Sequence, residues 1–379
     1  MFDRTDIRAA IEAGAISDEA AKRFEAFLKA RNDPERMLDP ENLRFLSNFN
    51  DVFLTIGIVV LMVGLSALSG VIVTNVFGLQ ALHDISSPAE LDAVMWKIRM
   101  AAALVPAAIL ASAWALAEYF CAKRRLLLPS MALASFVVLG AAGVGLALFT
   151  PGPTIEDDFQ FWSVMTTVGY AAFGAGLAAA AAFFWRFRLP FSLFLLAGAA
   201  AGLFYTAVAQ IGGMSDVVSG AATLVVGLVT LTAAILFDMK DPTRSTRSSD
   251  HAFWLHMAAA PQIIIGLRNM VLGSGFVPAG ATDAAVMLAV LLAFALISLA
   301  LNRRALIVSG LLTFGTALAV LVNQFGGGGI NTLMYTALII GASIVLLGGG
   351  WRTARRVILK AFPQQGAFGR IFPPEPPKG

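Results

Sequence analysis

The chain lacks most of what a soluble active site is built from. Its one cysteine, Cys121, rules out an internal disulfide. Of its three histidines, His83, His251 and His256, the last two are five residues apart, on different helix faces, so no metal site and no other cofactor are expected. Charged residues are only 13% of the chain. The basic ones are dispersed in short groups rather than gathered in one patch, which argues against nucleic acid as a partner. Gly326 to Gly329 lacks the Lys-Ser/Thr of a phosphate-binding loop. Gly-x-Ser-x-Gly and His-Glu-x-x-His elements are missing, and no paired acids fall at membrane depth, so no catalysis is expected. The first 50 residues carry no apolar signal-peptide core.

What the chain has in abundance is apolar length. Its mean hydropathy is +0.77 and 58% of its residues are hydrophobic. A spanning helix needs about 20 apolar residues. Ten such runs occur, near 52–77, 98–120, 126–148, 162–185, 190–213, 217–238, 251–274, 281–301, 305–325 and 330–350. The reading is an all-α, polytopic transmembrane bundle of about ten helices spanning 51–351, in contact with the lipid bilayer. Lys123 to Arg125, Arg186 with Arg188, Lys240 to Arg247, and Arg303 with Arg304 fill the even-numbered gaps, and Arg352, Arg355, Arg356 and Lys360 follow the last run. The third, fifth, seventh and ninth gaps hold no lysine or arginine. The positive-inside rule then predicts a multi-pass protein of the bacterial cytoplasmic (inner) membrane with both termini cytoplasmic. The first gap departs from the pattern, with Lys97 and Arg99 beside Asp84, Glu90 and Asp92.

The two ends differ from the middle. Residues 1–50 read as a cytosolic helical hairpin over 3–31 and an amphipathic lead-in. Ser17 is the expected cap of the second hairpin helix, and Ile7, Ile11, Phe24, Phe27 and Leu28 its packing face. So small a unit is expected to dock on a cytosolic partner, on the membrane domain, or on a second copy through 3–31. Residues 352–379 form a basic, proline-rich cytosolic tail with Pro373-Pro374 and Pro376-Pro377.

Polar cues inside the bundle are few. Asp250 to Gly275 is apolar enough to span, yet carries His251, His256, Pro261, Gln262, Arg268 and Asn269. A charge at membrane depth is costly and faces protein or water. The fifth run ends Gln210-Ile-Gly212-Gly213 and the ninth Gln324-Phe-Gly326-Gly327. This predicts a parallel repeat, runs three to six matching seven to ten. Packing such units around a common axis would bring Gln210, Arg268, Asn269, Asn323 and Gln324 together as an anion-attracting vestibule at the outer face. The structural alternative is that Arg268 reaches the headgroups or pairs with Asp216 or Asp283, the amides serving helix ends. Glu118 reads as a paired or snorkelling interfacial acid. Gly198-x-x-x-Gly202 and the stripe Ala172, Gly176, Ala180 are candidate close-packing surfaces. Trp96, Trp162, Trp185, Trp254 and Trp351 fall at helix ends, where lipid interfaces hold aromatic rings.

Three stretches, Ile11-Glu-Ala-Gly14-Ala-Ile-Ser17-Asp-Glu-Ala, Asp51-Val-Phe-Leu-Thr-Ile-Gly57 and His251-Ala-Phe-Trp-Leu-His256, resemble a group of uncharacterised bacterial membrane proteins. That group is catalogued as predicted membrane proteins with a domain of unknown function. The resemblance implies an inner-membrane location and no known activity. Two functions remain open. One is a small-solute transporter or permease, its substrate unidentified. The other is a non-transporting scaffold or sensor whose hairpin binds a cytosolic partner.

Overall fold

The computed structural model describes residues 13, 17, 19–21, 23, 49–79, 88–150, 158–210, 215–241, 247–273, 280–301, 304–325 and 328–360. The chain divides into two units, Met1–Arg44 and Phe45–Gly379. In the first, the Ala20 N–H donates to Ser17 Oγ at 3.2 Å, the cap the sequence calls for, and Arg23 pairs with Glu19 at 3.2 Å. The rest of the expected hairpin lies outside the described residues, as does the proline-rich tail beyond Lys360.

The second unit contains ten α-helices among its described residues: α1 (Phe49–Val76), α2 (Pro88–Ala117), α3 (Leu127–Phe149), α4 (Asp158–Phe187), α5 (Ser192–Gln210), α6 (Asp216–Lys240), α7 (Arg247–Leu272), α8 (Ala281–Leu301), α9 (Arg304–Gln324) and α10 (Ile330–Leu359). No strand occurs among the described residues. Eight helices, all but α7 and α9, are long and apolar enough to cross a membrane. The chain is therefore an all-α, multi-pass membrane protein in contact with the bilayer. Each observed helix overlaps a run read from the sequence. The larger differences are at α2, which opens ten residues early at Pro88, and α10, which continues to Leu359. Proline suits the first helical turn because it lacks only an N–H that would be unbonded there. Beyond Gly350, α10 is continued by good helix formers, and Trp351, Arg355 and Leu359 form a buried stripe at i, i+4 and i+8.

Local chemistry sets the ends. Ser215 caps α6 by accepting from the Val218 N–H at 3.3 Å. A six-residue π-helical turn, Glu118–Lys123, widens the end of α2 before Arg125 takes a left-handed conformation at φ 55°. Arg188, at φ 52°, ends α4 in the same way, with Pro190 two residues on.

Three apolar clusters hold the bundle. One joins α1 to α4 through Met62, Ala113, Leu133, Val137 and Phe183. A second joins α7 to α8 and α9 through Ile263, Ile264, Met287, Phe294 and Ala317. A third lies between α5, α6 and α7 at Ala197, Ala234, Leu255 and Ala258. The most extensive helix pair is α6 with α7, which crosses the boundary between the two four-helix units read as a repeat. By contrast, α3 packs broadly on α4, whereas the corresponding α7 touches α8 slightly. The close approach of α6 and α7 rests on glycine. A Cβ on Gly220 would lie 2.7 Å from the Met270 amide nitrogen, and one on Gly266 2.5 Å from that of Leu224. Lipid supplies no hydrophobic drive between helices, so such backbone contact is what makes packing favourable. The stripe Ala172, Gly176 and Ala180 packs on α3, where Gly176 faces Val138 and Ala142. The Gly198–Gly202 element is divided: Gly202 lies under the Phe173 ring, while Gly198 faces open space.

Candidate functional site

The polar groups collect at the two ends of α7, the most polar of the ten helices. Call the end of the bundle where Lys123, Arg186, Lys240 and Arg355 lie the basic end.

At the far end, Arg268 stands four residues before the close of α7. Its apolar neighbour one turn earlier, Ile264, is buried in the α7–α8–α9 cluster, which fixes the face Arg268 shares. The Arg268 side chain is correspondingly buried, at 8% exposure. It makes no ion pair among the described residues, with Asp216 and Asp283 included. Beside it, Asn269 Oδ1 is buried with no hydrogen-bond partner. Asp216 instead sits over the end of α7, where a Cβ on Gly273 would lie 3.0 Å from its carboxylate and where Gly273 adopts φ 81°.

The other three residues of the expected vestibule are engaged or open elsewhere. Gln210 accepts from the Tyr170 hydroxyl of α4 at 3.0 Å and is exposed. Asn323 accepts from Thr332 of α10 at 3.4 Å, and Gln324 is exposed at the end of α9. No hydrogen bond joins Gln210 to Gln324 among the described residues. Their helices are linked through α7, which packs on both α5 and α9. Arg268 is thus the buried member of this set, Asn269 is half-buried, and the three other amides are exposed.

The basic end holds a constellation that the sequence reading does not select. His256 is fully buried, and its Nε2 lies 2.8 Å from Asp238 Oδ2 in the last turn of α6. A carboxylate this close fixes the ring orientation and favours a proton on Nε2. One and a half turns earlier on α7, the His251 ring stands between Phe184 of α4, with centroids 5.8 Å apart, and Phe237 of α6, at 5.4 Å. Trp254 closes the same layer, edge-on to Phe191 at 4.8 Å. On the α2–α4 side, Arg186 makes a two-pronged contact with Glu118, Nε to Oε1 at 3.1 Å and Nη2 to Oε2 at 2.6 Å. Glu118 is therefore a paired acid at a helix end. Trp114 lies edge-on to Phe183 at 5.9 Å.

The signal for Asp238 is an acid inside the last apolar turn of α6, with histidines following the short basic stretch that comes next in the sequence. Adjacent antiparallel helices put such residues at the same depth. The tryptophans divide: Trp96 and Trp185 are exposed to the surroundings, as interfacial rings are, while Trp254 packs on aromatic rings and Trp351 is buried. No protein-family model matches the chain, and comparisons with curated proteins and with solved structures return no match.

Proposed function

We propose that this membrane protein is a small-solute permease that takes anionic solutes at Arg268, with both termini on the cytoplasmic side of a bacterial inner membrane. The observation behind the reading is the burial of Arg268 without an acidic partner among the described residues. An arginine taken out of water with no counter-charge is expensive, and such groups inside membrane bundles mark solute or ion pathways. A planar guanidinium presents its donors in a fork that suits carboxylate or phosphate. Asn269 adds an amide at the next position. The basic gaps support the orientation, which puts Arg268 toward the outer face and makes it the receiving end.

The test is uptake into proteoliposomes of a panel of small carboxylates and inorganic anions, with neutral solutes of matched size as controls. Wild type should accumulate at least one anion over the neutral set. Arg268→Gln should abolish that uptake while inserting normally, and Arg268→Lys should retain part of it. Anion uptake by Arg268→Gln equal to wild type would remove the site from the pathway. No uptake of any solute by wild type would favour the scaffold or sensor reading, in which residues 3–31 bind a cytosolic partner.

A further inference from the structure

An anion site at Arg268 leaves a second buried ionisable group of α7 without a task. His256 is 0% exposed, and its Nε2 stands 2.8 Å from Asp238 Oδ2 of α6. Ionisable groups inside a membrane bundle are costly and mark proton or solute paths. Imidazole is also the side chain that gains and loses a proton around neutral pH. His256 and Arg268 lie on one helix, about 18 Å apart at the helical rise. Between them α6 stays seated against α7, where the Thr230 hydroxyl donates to Gln262 Oε1 at 3.3 Å.

Charge ties the two sites together. With the ring neutral, the Asp238 carboxylate and the Arg268 guanidinium cancel. An anion at Arg268 alone leaves the three groups with one negative charge in excess. A proton on His256 alone leaves one positive charge in excess. Loading both restores neutrality. A net charge in a weakly polar interior acts over long distances and is expensive, so each ligand favours the other.

Other ionisable groups around the pair stand at helix ends. On α6 they are Lys240, exposed and over the Phe237 ring at 5.2 Å, and the cap Asp241. On α7 they are Arg247, Asp250 and His251, in the first turns. Arg188 lies over Phe184, the α4 ring against His251, at 6.0 Å. Arg304 opens α9, α5 brings Tyr205 toward its far end, and Asp283 stands at the far end of α8.

We propose that His256, held by Asp238, is a proton site coupled to the anion site, which makes the protein a proton–anion symporter. The coupling rests on Arg268 taking anions. Asp238 accepts the Nε2–H of the neutral ring. The carried proton adds to the Nδ1 lone pair, forming imidazolium, and leaves from the same atom; no other bond forms or breaks. Pro261, between the two sites, gives the Met257 carbonyl no N–H partner and supplies a point at which α7 can bend as the ligands load.

Proteoliposomes of the full chain, with an entrapped pH dye and an imposed gradient, alkaline inside, test the coupling. The probes are gluconate, lactate and inorganic phosphate, with the membrane potential clamped at zero. Wild type should acidify the interior as a probe enters, and a monovalent probe should accumulate about tenfold per unit of pH gradient. His256→Gln should lower that accumulation to the level found without a gradient. Asp238→Asn should do the same, and serves where His256→Gln fails to insert. Wild-type uptake that brings no acidification and is equal with and without the gradient would overturn the proton site and leave Arg268 as an anion site. Full gradient-driven accumulation in both variants would also overturn it. A wild type that moves no probe would overturn the anion site, and the coupling with it.

Discussion

His256 and Asp238 show how much one contact can matter when it is buried. The imidazole is fully enclosed and Asp238 is half-buried, at 18% side-chain exposure, so removing the carboxylate takes a hydrogen bond from a ring that water does not reach. Breaking a buried pair costs about 3 kcal/mol or more. His256→Leu should therefore lower the thermal midpoint in detergent markedly. Asp238→Asn, which keeps an acceptor for the ring, should lower it less. Equal effects of the two substitutions would mean that packing, not the hydrogen bond, sets the cost. The Glu118–Arg186 pair belongs to a different class. Its side chains are 39% and 47% exposed, so solvent screens it and Glu118→Gln should cost under about 1 kcal/mol. Arg268 is a third case, a buried cation among apolar neighbours, and its replacement by Gln should leave stability intact or raise it while altering uptake.

At the scale of the helix, α6 and α7 act as one unit because glycine lets their backbones touch. Gly266→Ala would push a methyl group to 2.5 Å from the Leu224 nitrogen, in backbone that cannot move aside without parting the helices. Overpacking of this kind costs about 1–3 kcal/mol. Gly198→Ala meets nothing within 4 Å and should be neutral or stabilising by up to about 1 kcal/mol, from helix propensity. Thermal unfolding of the two variants side by side checks the distinction, and a Gly266→Ala protein as stable as wild type would count against the close α6–α7 packing. Pro261 lies inside α7 next to this contact, and Pro106 inside α2 packs on Gly140 and Gly143 of α3. In both pairs the proline-bearing helix is seated against glycines on its neighbour. That seating is one way a bundle tolerates a helix with a missing N–H.

For the whole molecule, the proposed orientation rests on the distribution of charge between the apolar runs. Reporter fusions after Pro151, Gly213, Gly280 and Gly328 should read the outside. Fusions after Arg125, Arg188, Arg247 and Arg304 should read the cytoplasm. A consistent inversion midway would overturn both the topology and the parallel repeat. Deleting Met1–Arg44, a separate unit, should leave insertion intact because every run that drives insertion lies beyond it. Protease protection of the deletion variant measures this directly.

By itself, the sequence determined the all-α, apolar class; of the ten runs it offers as spanning, eight lie on described helices that are long and apolar enough to cross a membrane. Run length against bilayer thickness and the rise per residue leave little freedom there. It also singled out Arg268, because a charge within an apolar run is visible without coordinates. Tertiary structure decided which polar groups meet. Asp238 and His256 are 18 residues apart in the chain, and only the antiparallel packing of α6 on α7 makes them partners. The packing of α7 on α8 and α9 buried the face that Arg268 shares, and that of α4 on α5 divided Gly202 from Gly198, since whether a small residue serves as a contact depends on the helix opposite it.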